Sequence, residues 1–362
     1  MVTESLPECK QLSLGDAEAQ ELVQRLRIRA GELGFPLFGV TAAAHPETLP
    51  YFHRWLELSY HGEMKYMERR REAYSHPEHV QQGVRSILVL GATYDPPVPA
   101  TAGQPRIAAY ARGNSDYHQV LRSKAQELSA TIHEAFPTAR TRIAVDTAPL
   151  LERDFAKSAG LGWFGKNTML INKRLGSYFF LVAVLTDLAL PVDEPHSASH
   201  CGSCTACIEA CPTDALVGPH ELDARRCISY LNIELRGDNI PERQREAIGE
   251  WVFGCDICQE VCPWNRKAPA ASVPSLAAEE SLVDYTLDEW FSMSEGDFRR
   301  LAAGTPLERQ GRDGLLRNAA IVLGNLGDQR AVPALQWAVD SEEAVVAEAA
   351  RWALCRLQSG QS

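Results

Sequence analysis

The stretch that decides the reading of this chain is "CGSCTACIEACPTDAL", Cys201 to Leu216, four cysteines in eleven residues with a proline after the last. Ten cysteines occur in 362 residues: Cys9, Cys201, Cys204, Cys207, Cys211, Cys227, Cys255, Cys258, Cys262 and Cys355. A dense cluster of this kind is metal chemistry in a reducing compartment and a disulfide framework in an oxidising one. The amino terminus, "MVTESLPECKQLSLGDAEAQ", has no basic segment followed by an apolar core. The longest apolar run, Tyr178 to Leu190, is short of the roughly 20 residues a bilayer span needs. A cytoplasmic protein and a metal-binding cluster are therefore expected.

Cys201, Cys204, Cys207 and Cys211-Pro212 fit C-x2-C-x2-C-x3-C-P, the bacterial ferredoxin run, in which the fourth cysteine ligates the other cluster. A second run, "CDICQEVCPW", ends in its own Cys262-Pro263 but has Val252 where its first thiol would stand. The isolated Cys227 makes up the deficit. Eight thiols then suffice for two 4Fe–4S clusters: Cys201, Cys204, Cys207 and Cys262 on one, and Cys211, Cys227, Cys255 and Cys258 on the other. A pair of zinc ribbons is the alternative, since C-x2-C pairs also suit tetrahedral zinc; the two Cys-Pro endings weigh against it. Cys9 and Cys355 are left over and read as inert, Cys355 with a packing role.

Outward from the cysteines, Asp16 to Leu33 carries a helical apolar stripe with Asp16 as N-cap and Gly34 as stop. Strand-like runs lie at Phe38–Val40, Ser86–Tyr94, Arg142–Asp146 and Ser177–Thr186, with helical patterns at Tyr117–Ala135 and Pro149–Ala159. This alternation predicts an α/β or α+β domain over residues 1–190, followed by a cluster module over 191–272. From about residue 273 the composition turns to alanine, leucine and glutamate. There Arg317–Leu326 and Glu348–Leu357 align at an offset of 31, the mark of a HEAT-like helical repeat over 273–362. Arg299, Arg300, Arg309, Arg312 and Arg317 form a local basic excess that either meets phosphates or makes ordinary ion pairs on a solvated face.

In the first domain Asp146 ends a predicted strand, a place suited to acid–base chemistry, although helix capping is the commoner fate of such an aspartate. "GWFGKNT", Gly162 to Thr168, joins glycines that let backbone approach a ligand to polar Lys166, Asn167 and Thr168. It lacks P-loop spacing. The net charge of −11 excludes indiscriminate coating of nucleic acid by charge alone.

Taken together, "SYHGEMKYM" (Ser59–Met67), "ARGNSDYHQVLR" (Ala111–Arg122), "VDTAPLLER" (Val145–Arg153), "AGLGWFGKNT" (Ala159–Thr168), "DARRCISYLNIEL" (Asp223–Leu235), the eight cysteines and "LLRNAAIVLGNLG" (Leu315–Gly327) resemble the epoxyqueuosine reductase family over most of the chain. The resemblance implies a cobalamin-binding domain like that of reductive dehalogenases, a two-cluster ferredoxin-like module and a HEAT-like tail. It implies reduction of epoxyqueuosine to queuosine at the tRNA wobble position, the last step of queuosine biosynthesis, with cob(II)alamin and two 4Fe–4S clusters as cofactors.

By resemblance Asp146 is the proton donor, with a pKa raised by burial against the corrin. The corrinoid contacts carried over are Arg69, Asp146, Ser158, Lys166, Ser177, Ser229 and Asp256. Cobalt is held without a histidine ligand, and the D-x-H-x-x-G signature is indeed incomplete at Asp116-Tyr117-His118, with Leu121 in place of glycine. Tyr117 and His118 either line a nucleoside pocket or open a capped helix. The implied partners are the tRNA anticodon stem-loop and a low-potential donor such as flavodoxin or ferredoxin, acting on a monomer with no membrane. Two other readings stay open at this stage: a reductive dehalogenase, and a non-enzymatic iron–sulfur electron carrier.

Overall fold

The computed structural model describes residues 15–98, 104–279 and 285–359; Cys9 lies outside them. In chain order the elements that position the site are α1 (Asp16–Glu32), β1 (Leu37–Ala42), β2 (Ser86–Thr93), α2 (Tyr117–Ala135), β3 (Thr141–Ala144), α3 (Glu152–Ser158), β4 (Phe179–Thr186), α4 (Ala206–Glu209), β5 (Trp251–Phe253), α5 (Ile257–Glu260), α6 (Gly311–Leu326), α7 (Val332–Val339) and α8 (Ala344–Ser359).

Four strands make one sheet in the order β1-β2-β4-β3, every pair antiparallel, with Leu88 opposite both Val40 and Val184. All eight residues of β2 are buried because both sheet faces are covered. Leu88, Leu90 and Ala92 pack with Leu22 and Leu26 of α1 and Leu121 and Leu128 of α2. Ile87 and Val89 point the other way, onto Phe155 and Ala156 of α3. This period-two split gives a three-layer α/β domain.

The expected helices form, with local corrections. Gly15, not Asp16, is the N-cap of α1, so Asp16 lies in the first turn, where its charge suits the helix dipole. Gly34 ends the helix at φ +90°, and a Cβ there would stand 2.8 Å from Val273 Cγ2. The strand read as Arg142–Asp146 stops at Ala144, because Asp146 takes left-handed backbone, φ +58°.

The carboxyl-terminal helices share one hydrophobic core with the cysteine region: Ile228, Leu231, Val252 and Phe253 are buried with Leu315, Ala319 and Ala350. A buried polar net binds the two. Asn318 Nδ2 donates to Asn232 O (2.8 Å) and Val252 O (2.9 Å), while Arg317 Nη1 donates to Leu235 O and Asp238 O at 2.7 Å each. Burial lowers the Arg317 pKa to about 10, and its guanidinium is satisfied by these carbonyls. A Cβ on Gly324 would come within 2.9 Å of Ala353, so this glycine lets α6 and α8 approach. Cys355, aligned with Gly324 by the offset of 31, is exposed and has no packing role. Helix phase differs between the two copies even where leucines coincide.

Candidate active site and cysteine clusters

Asp116 caps α2, its Oδ1 accepting the His118 N–H at 3.0 Å. That cap fixes the first turn, so Tyr117 and His118 reach one point: Tyr117 Oη donates to Asp146 Oδ2 at 3.0 Å, and His118 Nε2 lies 3.3 Å from the same oxygen. The capped-helix reading of Tyr117 and His118 is met, and the same first turn brings both side chains to Asp146. The Tyr117 ring stacks on Phe180 of β4 at 4.2 Å.

The left-handed backbone of Asp146, unfavourable by about 1 kcal/mol or more for an L-residue, is held where its N–H donates to Glu152 Oε1 at 3.0 Å. Its side chain remains 62% exposed. Hydrogen bonding from His118 holds the Asp146 carboxyl below the usual range, more than offsetting the upward pull of its crowded surroundings; Tyr117 and Arg309 add to the lowering. The expected upward shift is thus not met in this arrangement, because donors to the ionised form outweigh desolvation. Glu152 moves the other way. Burial, helped by the Asp146 charge, pushes its carboxyl up to about 8. Sequence reasoning missed Glu152, since a lone glutamate at the start of a helix carries no signal.

Arg69 is exposed on the helix Lys65–Arg69 and has no hydrogen-bond or ion-pair partner among the described residues. Its neighbour Arg70 reaches Thr147 O at 3.3 Å, which sets this helix beside Asp146. Ser158 closes α3, half-buried and without a hydrogen-bond partner.

Lys166 and Asn167 sit at the tip of a two-stranded hairpin, Trp163–Phe164 with Leu170–Ile171, and grip both cysteine runs. Lys166 Nζ donates to Gly202 O (2.8 Å) and Cys204 O (2.9 Å); Asn167 Nδ2 donates to Cys258 O (3.2 Å). Ser177 is buried, its hydroxyl bonded to Gln259 Oε1 at 2.9 Å. The polar atoms of Lys166 and Ser177 are thus committed to holding the cysteine region. Asp256 is buried, accepts the Ala109 N–H at 2.6 Å, and is pushed up to about 7 by burial. Ser229 offers its hydroxyl to the Cys227 thiol, lowering a pKa that burial raises.

The short helices α4 and α5 each carry one cysteine, Cys207 and Cys258. Cys207 and Cys262 feel Cys201 and Cys204, Cys255 feels Cys227 and then Cys258, and Cys258 feels Cys227, then Cys207, then Cys211. Val252, in the place of the missing cysteine, is buried in β5.

Burial raises the Cys207, Cys227, Cys255, Cys258 and Cys262 thiols, so their thiolates need a cation. Among the described residues no three Cys, His, Asp or Glu side chains converge closely enough for a single ion. The donor set of the region is all thiol, the chemistry of iron–sulfur ligation. For a corrinoid, the unpartnered Arg69 and Ser158 and the buried Tyr178 hydroxyl, which has no partner, are compatible polar groups.

The arginines between Arg299 and Arg317 have partners within the chain, Arg312 at 3.7 Å from Glu295 among them. Arg299 pairs with Glu295 and Arg300 with Asp297 on their own helix, Arg317 is buried, and Arg309 turns inward to Asp116 at 2.8 Å.

Comparison with known proteins agrees with this arrangement. Residues 75–147 match the family model described as "Epoxyqueuosine reductase QueG, DUF1730", and residues 200–265 match a "4Fe-4S double cluster binding domain". An epoxyqueuosine reductase of Pseudomonas aeruginosa is 42% identical over 319 residues, 86% of this chain and 88% of the relative. That of Xanthomonas campestris pv. campestris is 39% identical over 351 residues, 95% and 98%. A crystal structure of an epoxyqueuosine reductase with an epoxyqueuosine-modified tRNA-Tyr stem loop superposes with a TM-score of 0.86 at 29% identity, covering 94% of this chain and 91% of that one. The extent and identity of these matches favour the first of the three sequence readings over a dehalogenase or a bare electron carrier: the chain belongs to the epoxyqueuosine reductase family.

Proposed function

We propose that this protein reduces epoxyqueuosine to queuosine at the wobble position of a tRNA anticodon stem-loop, through cob(II)alamin and two 4Fe–4S clusters. The observation that carries the reading is the convergence of Tyr117, His118 and Asp146 in a chain that brings its two cysteine runs within reach of each other. Bound to the chain, cobalamin would supply the low-potential reducing chemistry at the C–O bond.

Loss of the epoxide oxygen as water consumes two electrons and two protons. Asp146 holds and delivers a proton from its carboxyl, and Tyr117 and His118 aim that carboxyl. Ionised while it faces solvent, Asp146 would hold a proton at neutral pH once substrate and corrinoid cover it, because removal of water favours the neutral form. Arg69, Ser158, Ser229 and Asp256 would hold the corrinoid with Asp146, while Lys166 and Ser177 would fix the cysteine region against it. Cys201, Cys204, Cys207 and Cys262 would ligate one cluster; Cys211, Cys227, Cys255 and Cys258 would ligate the other.

On this reading residues 1–190 are the catalytic domain, 191–272 the ferredoxin-like module and 273–362 a HEAT-like repeat. The protein acts as a cytoplasmic monomer with a flavodoxin or ferredoxin as donor; among the described residues no helix is long and apolar enough to cross a membrane. Recognition of one loop needs shape, a splayed base and few phosphate contacts, which suits an acidic chain.

The test is nucleoside analysis of epoxyqueuosine-containing tRNA incubated with reconstituted protein, cobalamin and a low-potential reductant. Queuosine is expected from wild type and not from Asp146→Asn. Persistence of epoxyqueuosine with the wild-type holoprotein overturns the reading.

A further inference from the structure

Of the arginines between Arg299 and Arg317, only Arg309 reaches the aspartate cluster of the first domain. It stands in the turn Pro306–Gln310 just before α6, and its guanidinium crosses to the start of α2. Nη2 donates to Asp116 Oδ2 at 2.8 Å and lies 2.7 Å from His118 Nδ1; Nη1 lies 3.3 Å from His118 Nε2; and Cζ stands 5.9 Å from the Tyr117 ring centre. One cation from a segment more than 160 residues later in the chain thus holds Asp116 and His118, and His118 in turn reaches Asp146.

We propose that Arg309 is a positioning residue for the Tyr117–His118–Asp146 cluster, by which the carboxyl-terminal helical region fixes the proton donor of the reaction. The inference rests on the reading above, that this cluster reduces the epoxide.

The argument is one of charge and donor direction. A guanidinium has only donors, so the short approach to His118 Nδ1 is favourable when that nitrogen is an acceptor. The ring so held keeps Nε2 3.3 Å from Asp146 Oδ2, while Nδ1 also faces Asp116 Oδ1 at 2.9 Å. Without Arg309 the imidazole would have only the carboxylates of Asp116 and Asp146 as hydrogen-bond partners among the described residues, and no contact from the carboxyl-terminal region would fix its plane. Asp146 would then lose a fixed neighbour and a nearby positive charge that lowers its pKa. The other titratable or charged groups that face Asp146 are Tyr66, Tyr74, Tyr110, Glu152, Arg153 and Glu234. None of them has a hydrogen bond to the His118 ring among the described residues.

The experiment compares wild type, Arg309→Gln and Arg309→Lys as reconstituted holoproteins. It measures single-turnover conversion at saturating tRNA from pH 6 to 9, affinity for the modified stem-loop against salt, and amide hydrogen exchange in residues 117–122 and 145–151. Arg309→Gln should convert roughly tenfold more slowly, with its pH profile moved upward because a positive charge that lowers the Asp146 carboxyl is gone. Its stem-loop affinity should stay within about twofold of wild type, exchange in both segments should quicken, and Arg309→Lys should recover part of the rate. A loss of affinity with a shallower salt slope and an unchanged pH profile would make Arg309 a phosphate contact and overturn the proposal. So would unchanged rate and unchanged exchange, or a uniform rate loss with no shift in pH profile. If wild type itself leaves epoxyqueuosine unconverted, the functional reading fails. The exchange data then still decide whether Arg309 orders the cluster.

Discussion

Tyr117 Oη stands 3.0 Å from Asp146 Oδ2, a donor fixed in the first turn of a capped helix against an acceptor held in left-handed backbone. The tyrosine pKa is raised, chiefly by burial, so the phenol stays a donor throughout the neutral range. Tyr117→Phe removes one bond that favours the Asp146 carboxylate, and the Asp146 pKa should rise toward the ordinary value. Conversion of epoxyqueuosine should fall about tenfold in this variant and by a factor on the order of 100 or more in Asp146→Asn, with the iron–sulfur absorption of both unchanged. Equal rates for wild type and Asp146→Asn would remove the aspartate from the reaction.

The crossed assignment of the thiols has a spectroscopic consequence. Replacing Cys262 with serine should disturb the same cluster as replacing Cys201, and replacing Cys211 the same one as replacing Cys258. Iron analysis with electron paramagnetic resonance of the reduced variants checks this, each variant retaining about four of about eight irons. Pairing of Cys262 with Cys258 would show the runs to be uncrossed.

Asp146 and Glu152 act oppositely on stability as pH changes. The Asp146 pKa is lowered on folding, so its contribution is present above its unfolded value and is lost as pH falls through the folded one. The Glu152 pKa is raised to about 8, so the fold favours its protonated form and loses stability as pH rises from the ordinary carboxylate range toward 8. Glu152→Gln keeps an acceptor for the Asp146 N–H and removes the titration. Its urea midpoint should vary less than that of wild type between pH 5 and 8; an equal slope would assign the titration to another group.

Asn318 joins the helical tail to two points between Cys227 and the second cysteine run. Its amide serves the carbonyls of Asn232 and Val252 in a dry interior. Asn318→Leu strands both and should cost about 2–4 kcal/mol in chemical denaturation, with faster loss of bound iron on warming. A shift below about 0.5 kcal/mol would mean that water or a neighbouring donor takes over.

Much of this site is written locally. Cysteine spacing and the two Cys-Pro endings carry the match of residues 200–265 to a double-cluster domain, because ligand sets of this kind are set by short loops. The four strands and α2 were legible from apolar periodicity, since a covered sheet leaves continuous apolar runs. Gly34 was legible as a stop because few other residues tolerate its positive φ.

What only the tertiary structure decided depends on distant partners. Antiparallel order follows from how the strands meet, which alternation of strand and helix does not specify. The depressed Asp146 carboxyl comes from His118 and Tyr117, some 28 residues away, and from Arg309 beyond the cysteines. Lys166 and Ser177 look like ligand contacts in sequence, yet the fold turns them onto the cysteine loops. Periodicity and spacing report neighbours along the chain. The charge state of an acid and the partner of a buried cation are set by groups that only folding brings within about 3 Å, where hydrogen bonds and low local dielectric take effect.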